Sequence, residues 1–231
     1  MQPEVDMIPV ISVANMRDSD AHTIADFVPG LELMHRAAMG VFRAVSWKGS
    51  AAILVGSGNN GGDGFALACI LKDHGYGCTL VTLSQRLSPD SAWYAEKAKA
   101  AEIPIIPFKK GCLENFSIVV DCLLGTGFSG PLRDSYREAI REINDSSAFT
   151  VSVDINSGMN GATGEAALAV YSALTVTIGY VKQGLVAESA GKYIKRLVCA
   201  DIGIVLLREE GYIYRDNCPP WLDMAVICAT E

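Results

Sequence analysis

The sequence lacks most of the features that would assign it quickly. Its seven cysteines stand at positions 69, 78, 112, 122, 199, 218 and 228, with no Cys-x-x-Cys and no paired Cys/His spacing. Its three histidines, His22, His35 and His74, are scattered. That spacing argues against a zinc site. An odd number of cysteines in strand-like surroundings suggests reduced, buried thiols in a cytosol-like compartment, and a cytoplasmic location is the expectation. Cys122 reads as a small core hydrophobe. No lysine/arginine block occurs and the net charge is −7, which argues against a broad nucleic-acid-binding face. No apolar run exceeds strand length, so no membrane span is expected. The first 30 residues are acidic with Arg17 as their one arginine, unlike a secretory signal or an organellar targeting peptide. No linker, repeat or low-complexity segment is visible.

Glycine, by contrast, is plentiful and clustered. The apolar run Ala51–Val55 reads as a buried strand, followed by Gly56-Ser57-Gly58-Asn59-Asn60-Gly61-Gly62-Asp63-Gly64. A helix is then expected over 65–72. A glycine-rich turn between strand and helix offers free backbone N–H groups to a phosphate. Its glycines let the main chain approach a ligand closely. Residues 56–61 satisfy G-x-G-x-x-G, but no acid follows the next strand (78–83) to hold a ribose, which weakens the dehydrogenase reading. Gly64 is followed by Phe65, not by the Lys-Ser/Thr of a P-loop. A plain tight turn, the structural alternative, needs fewer special residues than two amides and an acid among five glycines.

Along the rest of the chain, helical character is expected over 11–48, with an amphipathic helix over 31–47 carrying Leu31, Met34, Ala38 and Val41-Phe42. Ser88-Pro89-Asp90 caps a helix running to about Ala101. Residues 103–108 read as an edge strand because Pro104 and Pro107 cannot donate to a ladder. Strands over 117–124, 149–153, 173–180 and 197–200, with a helix over 132–144, complete the alternation. Continuous β-branched strands alternating with helices predict a parallel sheet covered on both faces. Ligands of such sheets bind beyond the carboxyl ends of the strands. Three polar, glycine-rich stretches sit there: 56–64, 125–131 and 154–158. The tail from Arg208, with Cys218-Pro219-Pro220-Trp221 as a turn, carries no evident chemistry.

In this order, these stretches resemble the NAD(P)H-hydrate epimerases, the YjeF N-terminal domain family. Asn59-Asn60-Gly61-Gly62-Asp63-Gly64 is the most specific match. Asn15-Met16-Arg17 with Asp20, Leu33 to Ala37, Asp121 with Gly125-Thr126-Gly127, Asp154 with Ser157-Gly158, Lys182 with Gly184-Leu185, and Asp201 to Ile204 support it. The resemblance covers about residues 10–205. It implies an α/β, Rossmann-like three-layer sandwich with a mostly parallel sheet. Residues 1–231 are expected to form one domain: N-terminal helices over 11–48, a core over about 50–205, and an extension over 206–231.

The resemblance also implies an activity. Hydrated NADH or NADPH carries water added at C6 of the nicotinamide ring, and the family interconverts its R and S forms for a partner dehydratase that accepts only S. Substrate binding is implied for Asn59, Asn60, Gly61, Gly62, Asp63, Gly125, Thr126, Gly127, Phe128, Ser129, Gly130, Pro131 and Asp154. A potassium ion is implied at Asn60, Asp121 and Ser157, whose oxygens suit a hard cation. Asp154 is the candidate catalytic acid–base group, since a carboxylate at a strand end can move a proton as hydroxide leaves C6 and water returns. A structural alternative has Asp154 capping its own turn and Asp121 and Ser157 bonding the glycine loops. Asp63 would hold loop amides or ligand hydroxyls. Lys182 reads equally as a site residue or a solvated surface lysine.

Two positions depart from the family pattern: Asn156 stands where the family has proline, and the Leu-Met-Glu-Arg-Ala-Gly segment here carries His35 and Ala38. No second glycine-rich phosphate module follows, so the dehydratase is expected on a separate chain. A homodimer is one state compatible with the sequence. A binding or scaffold module of the same fold is the rival function.

Overall fold

The computed structural model describes residues 5–84 and 86–230. Its framework is an eight-stranded, all-parallel sheet. The strands are β2 (Ala51–Val55), β3 (Cys78–Thr82), β4 (Ile105–Pro107), β5 (Ile118–Cys122), β6 (Phe149–Val153), β7 (Leu174–Ile178), β9 (Leu197–Asp201) and β11 (Leu222–Cys228). Their spatial order is β11-β9-β7-β6-β5-β2-β3-β4. A second, three-stranded sheet joins β10 (Gly211–Tyr214), β1 (Met7–Ile11) and β8 (Val181–Lys182).

The helices are α1 (Val13–Asp26), α2 (Gly30–Ala44), α3 (Asn59–Asp73), α4 (Pro89–Ala100) and α5 (Asp134–Asp145). Pleating sends alternate residues of each strand to opposite faces. In β2, Ile53 and Val55 pack with Met34 and Val41 of α2 and Leu67 and Leu71 of α3, while Ala52 and Leu54 pack with Tyr136 and Ile140 of α5. At the other end of the sheet, Leu197, Cys199, Leu222 and Met224 are covered by Ile8 and Val10 of the small sheet. Three layers follow, as expected. The Ser88 cap on α4 is formed: its side chain accepts from Ser91 N–H.

Several boundaries differ from expectation. The helix expected from residue 65 begins at Asn59, inside the glycine stretch. The amphipathic helix stops at Ala44, and Met7–Ile11 is strand, so residue 11 is not helical. The tail beyond 205 is built into the fold: β10 pairs antiparallel with β1, and β11 pairs with β9 at the sheet edge.

The strand order places the site. Moving along the chain, the sheet grows one way from β2 through β3 to β4, then returns to add β5 on the other side. The loops after β2 and β5 thus lead away from each other and leave a crevice between them, the usual ligand position in such sheets.

Candidate active site

A cavity of about 550 Å³ opens at that switch point. Its walls come from all three glycine-rich stretches, together with α1 and α2. Of the expected substrate residues, Asn59, Asn60, Asp63, Gly125, Thr126, Gly127, Phe128, Ser129, Pro131 and Asp154 line it. Gly61, Gly62 and Gly130 do not line it, nor do Asp121 and Ser157. Met16, Arg17 and Asp20 of α1 and Lys182 of β8 do.

The glycine stretch works differently from a loop that exposes its main chain. A Cβ on Gly61 would lie 2.4 Å from the Gly56 carbonyl oxygen, and one on Gly62 would lie 2.5 Å from the Met34 methyl. A Cβ on Gly64 would lie 2.7 Å from Val55 Cγ1. These glycines let α3 sit tightly on the sheet and on α2. The first helical turn instead lines the cavity, and its N–H groups have no acceptor within the helix and carry its positive dipole end. Gly58 caps α3 without a side chain to occupy those donors.

Asp154 sits just past β6 in the left-handed region, φ 68°, an uncommon conformation for a residue with a Cβ. Its Oδ2 accepts from Thr126 N–H at 3.2 Å, tying the strand end to the second glycine loop. Its Oδ1 accepts from Lys182 Nζ at 2.5 Å. It therefore does not merely cap its own turn. Lys182, read from the sequence as equally a surface lysine, is fully buried. Its ammonium also donates to Thr177 Oγ1 at 3.0 Å and to the Ile178 carbonyl at 2.6 Å. Three acceptors meet its three donors.

Asp63 behaves in the opposite way. Among the described residues its carboxyl has no hydrogen bond or ion pair, so the expected bonds to loop amides are not made. Burial, then the charges of Asp154 and Asp20, push its carboxyl well above the ordinary carboxylate range, with Lys182 opposing. Burial first and Asp154 second also raise Asp20.

Beneath the cavity floor, Asp121 is fully buried. Its carboxylate accepts four hydrogen bonds, from Leu123 N–H, Ser152 Oγ–H, and both the N–H and Oγ–H of Ser157. Ser157 Oγ in turn accepts from Leu124 N–H at 2.9 Å. Bonding between the loops, the structural alternative, is thus present. Burial raises the Asp121 carboxyl, and its hydrogen bonds pull it back down. Asn60 donates through Nδ2 to the Leu124 carbonyl at 3.0 Å, while its buried Oδ1 has no partner. Cys122, beside Asp121, is a buried core thiol raised by burial, as expected.

Asn156 is a buried clamp. Its Nδ2 reaches the Val170 carbonyl at 2.9 Å, Ser172 Oγ at 3.0 Å and the Tyr193 carbonyl at 3.3 Å, and its Oδ1 accepts from Thr175 at 2.7 Å. These bonds anchor the segment between Asp154 and Ser157 to the start of β7. Gly158 follows at φ 95°, where a Cβ would lie 2.2 Å from the Leu168 carbonyl oxygen.

The chain is similar to a group of known proteins. The model of the YjeF-related protein N-terminus family matches residues 30–184. A protein named NAD(P)H-hydrate epimerase from Limosilactobacillus fermentum is 34% identical over 199 residues, covering 83% of this chain and 95% of that one. A protein of the same name from Rhodopirellula baltica is 34% identical over 217 residues, covering 89% of each. A bifunctional NAD(P)H-hydrate repair enzyme from Coxiella burnetii is 33% identical over 196 residues, which are 82% of this chain but 40% of that longer one. Among solved structures, yeast ynu0 shares the fold with a TM-score of 0.66 at 22% identity, over 76% of this chain and 82% of that one. The chain belongs to the YjeF-related N-terminus family.

Proposed function

We propose that this protein is an NAD(P)H-hydrate epimerase, interconverting the R and S forms of hydrated NADH and NADPH. The observation that carries the reading is the shared cavity: the α3 N-terminus with Asn59, Asn60 and Asp63 faces the 125–131 loop and Asp154 across it. Hydroxide leaving C6 generates a cation that the adjacent ring nitrogen stabilises. The protein then has only to orient the dinucleotide, move protons at the C6 oxygen, and let water return to the other face. Asp154 is an acid–base group suited to that task. The first turn of α3 and the 125–131 loop would hold the dinucleotide, with phosphate favoured at the helix N-terminus. The S product would pass to a dehydratase on another chain. The direct test supplies purified R-hydrate to this protein and a dehydratase. Consumption faster than spontaneous epimerisation supports the reading. Tight binding of the dinucleotide with no acceleration favours the binding-module alternative.

A potassium ion belongs to the same proposal. The unpartnered Asn60 Oδ1 fits a cation, since a buried acceptor left without a donor is otherwise destabilising. Asp121 and Ser157 would complete the site from below, and the ion would supply positive charge beside the substrate. Because the Asp121 carboxylate also holds four internal hydrogen bonds, its removal would weaken the fold with or without an ion. Asn60 isolates the question better. Potassium at about 100 times its Kd should add about 2.7 kcal/mol, a rise of roughly 5–10 °C in Tm over tetramethylammonium buffer. Asn60→Ala should abolish the difference. Equal wild-type Tm values in the two buffers would remove the ion from the account.

A further inference from the structure

Two carboxyls, Asp63 and Asp154, line one cavity but are held in opposite ways. Asp154 has a cation on one oxygen and a backbone N–H on the other. Asp63, projecting from the first turns of α3, has neither. A partly buried carboxyl that shares its cavity with a second aspartate, and has no cation or N–H of its own, is pushed towards its protonated form by burial first and that neighbour second. Such divergent environments mark the acid and the base of a pair.

Building on the epimerase reading, we propose that Asp63 is the proton donor to the departing C6 hydroxyl and that Asp154, positioned by Lys182, is the proton acceptor for the returning water. The steps balance without a co-reactant. The Asp63 proton moves to the C6 oxygen, the C6–O bond breaks with its electron pair on oxygen, and water leaves. The ring nitrogen lone pair forms the C=N bond. Water then adds to the opposite face, the nitrogen recovers its pair, and the surplus proton passes to Asp154. Transfer of that proton back to Asp63 through water in the cavity resets the pair. Lys182 is a positioning residue here, because its ammonium is spent on Asp154, Thr177 and Ile178.

Burial is the largest influence on the Asp63 proton, and the charges of Asp154, Asp20 and Lys182 follow in that order. Asp20 of α1 and Asp154 hold the proton on, and Lys182 works against them. Arg17 of α1 lines the same cavity, and Tyr94 of α4 and Cys122 of β5 both feel the Asp63 charge. Asp63 has a raised folded-state pKa, so the stability it contributes is full below the ordinary carboxylate range. That stability is lost as pH rises through the folded value. At neutral pH the ionised Asp63 form is the penalised one, so Asp63→Asn should have the higher Tm. The gap should close in acid.

The test has two arms. In the first, conversion of R-hydrate to S is followed against pH. Wild type should lose rate on the alkaline side as Asp63 ionises. Asp63→Asn should be about 10²–10⁴-fold slower and lack that limb, while Asp63→Glu recovers part of both. An Asp63→Asn protein at the wild-type rate, or with its alkaline limb intact, overturns the proposal. In the second arm, carboxyl ¹³C shifts of aspartate-labelled protein are titrated without substrate. One resonance, missing in Asp63→Asn, should titrate well above the other aspartates that face water. If the Asp63 resonance titrates with those aspartates, the proposal fails whatever the activity. If instead the shift is displaced but wild type never epimerises, the epimerase reading fails and the proton-donor role falls with it, leaving only the protonated carboxyl.

Discussion

Asp154→Asn should slow R-to-S conversion by about 10²–10⁴-fold, the usual worth of a positioned acid–base group, and should preserve much of the dinucleotide affinity. The substitution is close to isosteric, so the left-handed backbone at φ 68° is kept, and asparagine is among the residues that tolerate it. The amide oxygen can still accept from Thr126 N–H or from Lys182. What disappears is the ability to accept a proton. Affinity has to be measured separately from kcat, because a binding defect would lower kcat/KM without touching the chemistry. An Asp154→Asn protein that binds normally and converts at the wild-type rate removes Asp154 from the mechanism.

The second large effect is on stability. Lys182→Met should lower stability by about 3–5 kcal/mol, which for a chain of this size lowers Tm by roughly 10 °C or more. Methionine fills most of the space but leaves Asp154 as a buried carboxylate without its cation. The lysine side chain is 1% exposed and the Asp154 side chain 12%, so solvent cannot replace the missing partner. Activity should fall with stability. Adding Asp154→Asn to Lys182→Met should restore part of the lost stability, because no unpaired charge remains, but none of the activity. Thermal melts of the two single variants and the double variant measure this coupling. Strict additivity would show that the pair is not an energetic unit.

The parts of this site that could be read from sequence are those with a local signal. Ala51–Val55, Ile118–Cys122 and Phe149–Val153 are short apolar runs that end in glycine, aspartate or serine, and those ends carry the cavity. The start of α3 was harder, because glycine disfavours helix interiors. Here Gly61, Gly62 and Gly64 are required by contacts with Gly56, Met34 and Val55. Tertiary packing overrides propensity, and the helix begins six residues before Phe65.

The burial of Lys182 has no local signal. Its burial depends on Asp154, 28 residues earlier in the chain, which can be seen only once β6 and β8 are brought together. The sequence likewise gave no sign that Asn156 would hold its side chain against Val170, Ser172, Thr175 and Tyr193. A proline there would leave those groups to find other partners, so Asn156→Pro should damage the loop that carries Asp154. The strands β1 and β11 were missed for a related reason. Pro9 interrupts the first, and the second is specified by its pairing with β9 rather than by any pattern of its own.

If epimerisation runs through loss of the C6 oxygen and its return from water within this cavity, R-hydrate converted in H₂¹⁸O should give a labelled S product by mass spectrometry. Label should enter C6 as fast as the epimer forms, well above the spontaneous rate, and Asp154→Asn should reduce both together. Epimerisation that proceeds without label, or labelling no faster than the uncatalysed background, would contradict that route.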